Sequence, residues 1–188
     1  MPQDTSTNGF VLAGGKSRRM GRDKATLPWA GTTLLEHIIK LLSTVAQPVR
    51  VIGRGEFLDR VPDKGPLGGI LTALQSSDRD TNLILAVDLP LLTPDFLRMF
   101  HSRFAASDKP LIACRVAGEF PLCLGIRKDL SGQVERRIAS ENLSIRAFIV
   151  ESSGEILEEE ELRTLGFDPA MFANINTPQD WETIARRP

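Results

Sequence analysis

The sequence predicts an α/β fold in three layers, with helices on both faces of a mostly parallel β-sheet. Two observations carry this. Short apolar runs at residues 10–12, 48–53 and 83–87 alternate with segments whose apolar residues recur at helical spacing. Glycines or an acid follow each run, where a strand would hand over to a helix. At 188 residues the chain suits one domain, residues 1–188, with a full core and a polar, disordered lead-in at residues 1–7.

Phe10-Val11-Leu12 reads as a buried strand ending at Gly14 and Gly15. Thr32-Thr33 is a helix cap, and Leu34, Leu35, Ile38, Leu41, Leu42 and Val45 mark one apolar helix face. Residues 48–53 form a second strand ending at Gly53. Val61-Pro62-Asp63-Lys64 then leads to the glycine turn Gly65-Pro66-Leu67-Gly68-Gly69, with a helix expected from Ile70 to about Gln75. Residues 83–87 are the clearest strand and end at Asp88-Leu89-Pro90. Thr93-Pro94-Asp95 opens a helix with a cap, a first-turn proline and an acid at the positive end. Phe96, Leu97, Phe100 and Phe104 give that helix its apolar face.

Residues 110–116 and 120–126 are two strands around a Gly118-Glu119 turn, able to pair as a hairpin. Residues 129–151 are helical in pattern, in two pieces broken near Asn142. The acidic run from Glu155 to Glu161 reads as a solvated surface edge, and Thr177-Pro178 starts a last helix through Trp181. His37 and His101 are read as surface residues without chemistry. Cys114 and Cys123 sit in apolar runs without metal-site spacing and read as buried free thiols.

The stretch LAGGKSRRMGRDK at residues 12–24 concentrates the chemistry. Glycine has no Cβ, so the N–H groups of Gly14 and Gly15 can approach an anion closely. Lys16, Arg18, Arg19, Arg22 and Lys24, offset by Asp23, give a local charge of 5 − 1 = +4 on a chain whose net charge is −1. That contrast argues against a nucleic-acid binder working by phosphate neutralisation and suits a small polyphosphate. A P-loop would need glycine at position 10, which is Phe10, and adjacent Gly14 and Gly15 do not satisfy G-x-G-x-x-G.

The stretch resembles the signature L-A-G-G-x-S-x-R-M-G-x-D-K of the molybdenum cofactor guanylyltransferases, matching it through Leu12, Ala13, Gly14, Gly15, Ser17, Arg19, Met20, Gly21, Asp23 and Lys24. Further pieces extend the likeness: Asp63 followed by G-P-L-x-G through Gly65 and Gly69, Asp88 in a C-D-x-P-like turn, and Asn174-Ile175-Asn176-Thr177-Pro178 as the terminal N-x-N-T-P. Val87 stands where that family has cysteine, a departure that touches packing. The resemblance implies a Rossmann-like sheet of the nucleotide-diphospho-sugar transferase type. It also implies transfer of GMP from GTP to molybdopterin (Mo-molybdopterin), with release of pyrophosphate. Sister enzymes that use CTP usually carry L-A-A-G, so Gly14 points to GTP. Use of CTP or of a sugar-phosphate acceptor is the nearest alternative.

The implied GTP site comprises Leu12, Ala13, Gly14, Gly15, Lys24, Gly53, Asp63, Gly65, Gly69 and Asp88. Asp63 can accept from both N1–H and the N2 amine of guanine, a pair cytosine lacks. Asp88, at a strand tip, suits Mg²⁺. Arg19, Lys24 and Asp88 are the expected catalytic residues. Asn174 and Asn176 are the implied acceptor contacts; Arg136, Arg137 and Arg146 are candidates for a pterin phosphate. A glycosyltransferase would want D-x-D, and Asp88-Leu89-Pro90 has no second acid. A non-catalytic GTP-binding regulator would bind without releasing pyrophosphate. With no signal peptide and no membrane-length apolar stretch, the expectation is a cytoplasmic monomer in transient contact with cofactor-delivery proteins or molybdoenzymes.

Overall fold

The computed structural model of the protein describes residues 7–14, 20–55, 57–58 and 60–185. Its centre is a six-stranded sheet. β1 (Thr7–Leu12) lies between β4 (Val49–Ile52) and β5 (Thr81–Ala86), parallel to both. Beyond β5 come β7 (Cys123–Arg127), β6 (Leu111–Arg115) and β8 (Glu155–Glu158), giving the order β4-β1-β5-β7-β6-β8. β7 runs antiparallel to both neighbours, and β8 is parallel to β6, so only β7 is reversed. A two-stranded ribbon, β2 (Pro28–Trp29) with β3 (Thr32–Thr33), sits apart from the sheet. Thr7, expected in the lead-in, is instead a buried residue of β1, where its hydroxyl lies 2.9 Å from His101 Nε2.

Strand alternation sorts the core into two clusters, because successive side chains point to opposite faces. Val11, Leu83 and Leu85 pack with α1 (Leu34–Leu42) and α3 (Pro94–Ala105). Phe10 and Ile84 join the opposite cluster, with α2 (Gly65–Ser76), α4 (Ser131–Ala139) and α5 (Ile145–Glu151). α1 starts as expected: Thr33 Oγ1 accepts from Glu36 N at 3.2 Å while Glu36 Oε2 accepts from Thr33 N at 2.9 Å, a capping box. α2 starts at Gly65, five residues before the expected Ile70. Pro66 in its first turn is helix-compatible, and Val61 O would lie 2.7 Å from a Cβ at Gly68, so only glycine lets the helix settle there.

The hairpin pairing forms, in the register Leu111↔Ile126. The helical stretch breaks between Ala139 and Ile145. The acidic run differs from expectation. Glu155–Glu158 is an edge strand with Leu157 fully buried, followed by α6 (Glu159–Thr164). Its glutamates find cations: Glu158 pairs with Arg115, with contacts at 2.7 and 2.9 Å, and Glu161 pairs with Arg103 at 2.6 Å. Charge on an exposed edge also discourages further strand pairing. His101 is buried rather than at the surface, and half-buried His37 contacts Pro90 O at 3.0 Å. Both cysteines are free and buried, and loss of solvent pushes both thiols up.

The C-terminal segment reaches the sheet's carboxyl edge through aromatic packing. Phe172, in the 3-10 turn Pro169–Phe172, meets Phe96 of α3 edge-on at 5.1 Å, and Phe167 meets the same ring at 5.6 Å. That anchorage delivers Ile175 N to Asp88 O at 3.1 Å, just before α7 (Pro178–Ala185). No helix among the described residues is long and apolar enough to cross a membrane.

Candidate active site

A cavity of about 770 Å³ opens at the carboxyl ends of β1, β4 and β5. This edge is where open α/β sheets bind ligands, and the volume is that of a small-molecule site. Leu12, Ala13 and Gly14 line it from β1 and its turn; Ile52 lines it from β4; Ala86, Val87 and Asp88 line it from β5. Asp63, Gly65 and Gly69 contribute the loop and first turn of α2, while Lys24 and Ala25 close another side. Eight of the residues expected at a nucleotide are therefore gathered on one wall system.

Lys24 is the hub. Its Nζ donates to Asp88 Oδ2 at 3.1 Å and to Asn176 Oδ1 at 2.8 Å, although these partners lie 64 and 152 residues away in the chain. The Lys24 and Asp88 side chains are only 16% and 20% exposed, so the pair is shielded from bulk water yet opens into the cavity. Asp88 is fixed through its backbone by Ile175, and Val87 N donates to Leu12 O at 3.1 Å, tying the tips of β1 and β5 together.

Asn176 is held by a contact that sequence reading passed over. Asp180 Oδ2 accepts from Asn176 N at 2.9 Å and Thr177 N at 2.8 Å, while Thr177 Oγ1 accepts from Asp180 N at 3.1 Å. The Asn176 and Thr177 amides hold the Asp180 carboxyl below its usual range against the opposing effect of burial, and Lys24 adds to the shift. The spacing T-P-x-D was a readable signal of this turn. Asn174 is exposed, whereas Asn176 is half-buried against Lys24, so the two asparagines are not equivalent.

Gly53 does not line the cavity; it packs behind it. Its φ is +87°, and a Cβ there would lie 2.5 Å from Gly14 Cα and 2.7 Å from Gly14 N. Gly53→Ala should therefore cost about 1–3 kcal/mol from backbone strain alone, displace the Gly14 turn, and weaken nucleotide binding. Urea denaturation with nucleotide titration would check both effects. Arg19 and Gly15 lie outside the described residues. Of the three arginines weighed for a pterin phosphate, Arg137 is buried in an ion pair with Glu151 and donates to Asn142 Oδ1 at 2.7 Å. Arg146 is held at Gly118 O and over the Phe120 ring, and Arg136 is exposed on α4. Leu122, in the Pro121-Leu122-Cys123 segment that resembles the family's P-L-C but was not put among the expected site residues, lines the cavity, and its carbonyl accepts from Ala86 N at 2.8 Å.

A family comparison decides the class: the MobA-like NTP transferase domain matches residues 9–155. The chain belongs to this family. The MobA-like match includes the carboxyl ends of all three strands whose tips make the cavity, and it identifies the chain as a nucleotidyltransferase. A molybdenum cofactor guanylyltransferase from Xanthomonas euvesicatoria pv. vesicatoria is 35% identical over 191 residues, spanning 94% of this chain and 93% of that protein. One from Syntrophotalea carbinolica is 30% identical over 190 residues, spanning 94% and 90%. Among solved structures, molybdopterin-guanine dinucleotide biosynthesis protein A from Archaeoglobus fulgidus superposes with a TM-score of 0.78 at 22% identity, covering 95% of this chain and 96% of that one. That likeness confirms the MobA-like sheet and its order of layers.

Proposed function

We propose that this chain is a molybdenum cofactor guanylyltransferase, transferring GMP from GTP to molybdopterin. The observation that carries the reading is the Lys24–Asp88–Asn176 contact set opening into a cavity ringed by strand tips and by the Gly14 and Gly65 turns. Relatives bearing this activity by name align over nearly the whole chain.

In the proposed reaction a phosphate oxygen of molybdopterin forms a bond to the α-phosphorus of GTP. The bond from that phosphorus to the β-phosphate oxygen breaks, and pyrophosphate leaves with the electron pair. The nucleophile is already an anion near neutral pH, so no side chain has to remove a proton. What this chain must supply is positioning and positive charge. Lys24 directs its ammonium into the cavity, where it can turn from Asp88 and Asn176 toward phosphate oxygens. Gly14 presents its backbone without a side chain in the way. Asp63 offers its carboxylate to the guanine N1–H and N2 donors. Asn176, and Asn174 beyond it, offer amides to the acceptor.

Asp88 is the residue that would hold Mg²⁺, with the Asn176 amide oxygen nearby. A single carboxylate with a neutral oxygen suits an ion that takes its other ligands from phosphate and water. No group of three or more His, Cys, Asp and Glu side chains with metal-ligand geometry exists among the described residues. When bound, the ion would neutralise charge on the phosphates and the departing pyrophosphate.

The deciding experiment is pyrophosphate release from GTP or CTP, with and without molybdopterin and with Mg²⁺. Release that needs both GTP and molybdopterin is expected. Preference for CTP would reassign the base, and no release from either nucleotide would defeat the transferase assignment.

A further inference from the structure

We infer that Arg54 is a positioning residue that clamps the stem of the cationic loop and so presets Lys24; the inference rests on the nucleotide reading of the cavity. Arg54 follows Gly53 at the end of β4 and is not part of the cavity lining. Its Nε donates to Ala13 O at 3.0 Å, and a terminal guanidinium nitrogen is paired with Asp23 Oδ1. Ala13 immediately precedes the loop's glycines and Asp23 immediately precedes Lys24, so one planar head group joins the loop's two ends.

Both ends of the clamp are themselves fixed. Gly53 N donates to Phe57 O at 2.7 Å and Phe57 N to Arg54 O at 3.2 Å, holding the backbone that carries the guanidinium. Ala13 N donates to Ile52 O at 3.0 Å. Asp23 Oδ1 also accepts from Ala25 N at 3.1 Å, capping the 3-10 turn Lys24–Thr26 from which the Lys24 side chain projects. A chain of rigid contacts thus runs from the tip of β4 through Arg54 and Asp23 to Lys24.

Charge gives the clamp a second role. Asp23 lines the cavity, where an uncompensated carboxylate would repel a triphosphate. The Arg54 hydrogen bond holds the Asp23 carboxyl below its usual range, so it stays ionised, and the guanidinium charge offsets it in place. The two roles separate in a substitution series, because lysine keeps the charge but cannot span two acceptors with a planar fork.

The test measures kcat, KM for GTP and thermal midpoint for wild type, Arg54→Ala and Arg54→Lys, alongside calorimetric titration of each with GTP. For Arg54→Ala we expect KM raised and kcat lowered, each by about ten-fold or more, as for a small misplacement remote from the chemistry. Arg54→Lys should bring KM back to within about three-fold of wild type while kcat stays about ten-fold down, at a near wild-type thermal midpoint. Should Arg54→Ala not fold, the lysine variant decides alone. Wild-type kinetics in Arg54→Ala, or full recovery of kcat in Arg54→Lys, would overturn the clamp. So would losses that merely track the folded fraction. A wild-type protein that binds no GTP would instead remove the nucleotide reading itself, which the titration reports independently of either variant.

Discussion

Asp88→Ala should lower kcat for GMP transfer by about 10²–10³-fold or more while leaving the fold intact. The backbone here is held without the side chain: Val87 N of the preceding residue donates to Leu12 O, and Ile175 N donates to Asp88 O. Removing the carboxylate therefore deletes chemistry rather than architecture. It removes the carboxylate that contacts Lys24 at the tip of β5, and with it the position proposed for Mg²⁺. Thermal unfolding separates this from a role in the strand-to-helix turn, since a structural part would show mainly as a lowered midpoint. The Mg²⁺ dependence of pyrophosphate release supplies a further criterion: Asp88→Asn keeps an oxygen but not the charge, and should need far more metal. Turnover near the wild-type rate in either variant would refute the assignment.

Lys24→Ala should be comparably severe, by about 10²–10³-fold in kcat/KM. The ammonium is the group that links Asp88 to Asn176, and its removal leaves two oxygens facing each other beside the cavity proposed to take GTP. Because a lysine that steadies the ground-state triphosphate acts in KM and one that meets developing charge acts in kcat, the split between them reports its role. The double variant Lys24→Ala with Asp88→Ala should cost little more than either single change, since both act on one site. Fully additive losses would mean that the two residues serve separate steps.

Much of this site was legible from residue types. Glycines after a strand, an acid at a strand tip and a lysine closing a cationic run each have a chemical reason to stand where they do. Asp63, Gly65 and Gly69 came instead from the family resemblance, and the cavity collects them. Gly53 was legible as a glycine but not in its role, because its crowding against Gly14 arises between two strands. Arg54 was hidden for a related reason: both its acceptors lie on the segment that follows the neighbouring strand, 41 and 31 residues away. Asn174 and Asn176 looked equivalent by alternation, and only the packing of the C-terminal segment distinguishes them.

The fold was uneven in the same sense. Helix caps at Thr33 and Thr93 are local hydrogen bonds and were readable. β8 was masked by its glutamates, whose cations sit on other elements, Arg103 on α3 and Arg115 on β6. The insertion of β7 between β5 and β6 left no local mark, because a strand buried on both faces has the same apolar pattern in either direction.

By itself the sequence determined which chemistry was on hand: alternating strands and helices, a glycine turn, one cationic loop, one acid at a strand end and an asparagine pair near the carboxyl terminus. Tertiary structure decided which of these meet. Each helical crossover carries the chain away from the sheet's carboxyl edge and returns it there as the tip of another parallel strand. That brings Asp88, 64 residues away, to the Lys24 ammonium, while the packing of Phe167 and Phe172 on Phe96 brings Asn176, 152 residues away, to the same group. Local preference cannot encode that encounter, because it depends on strand order, and strand order is settled only by how the two faces of the sheet bury their apolar side chains.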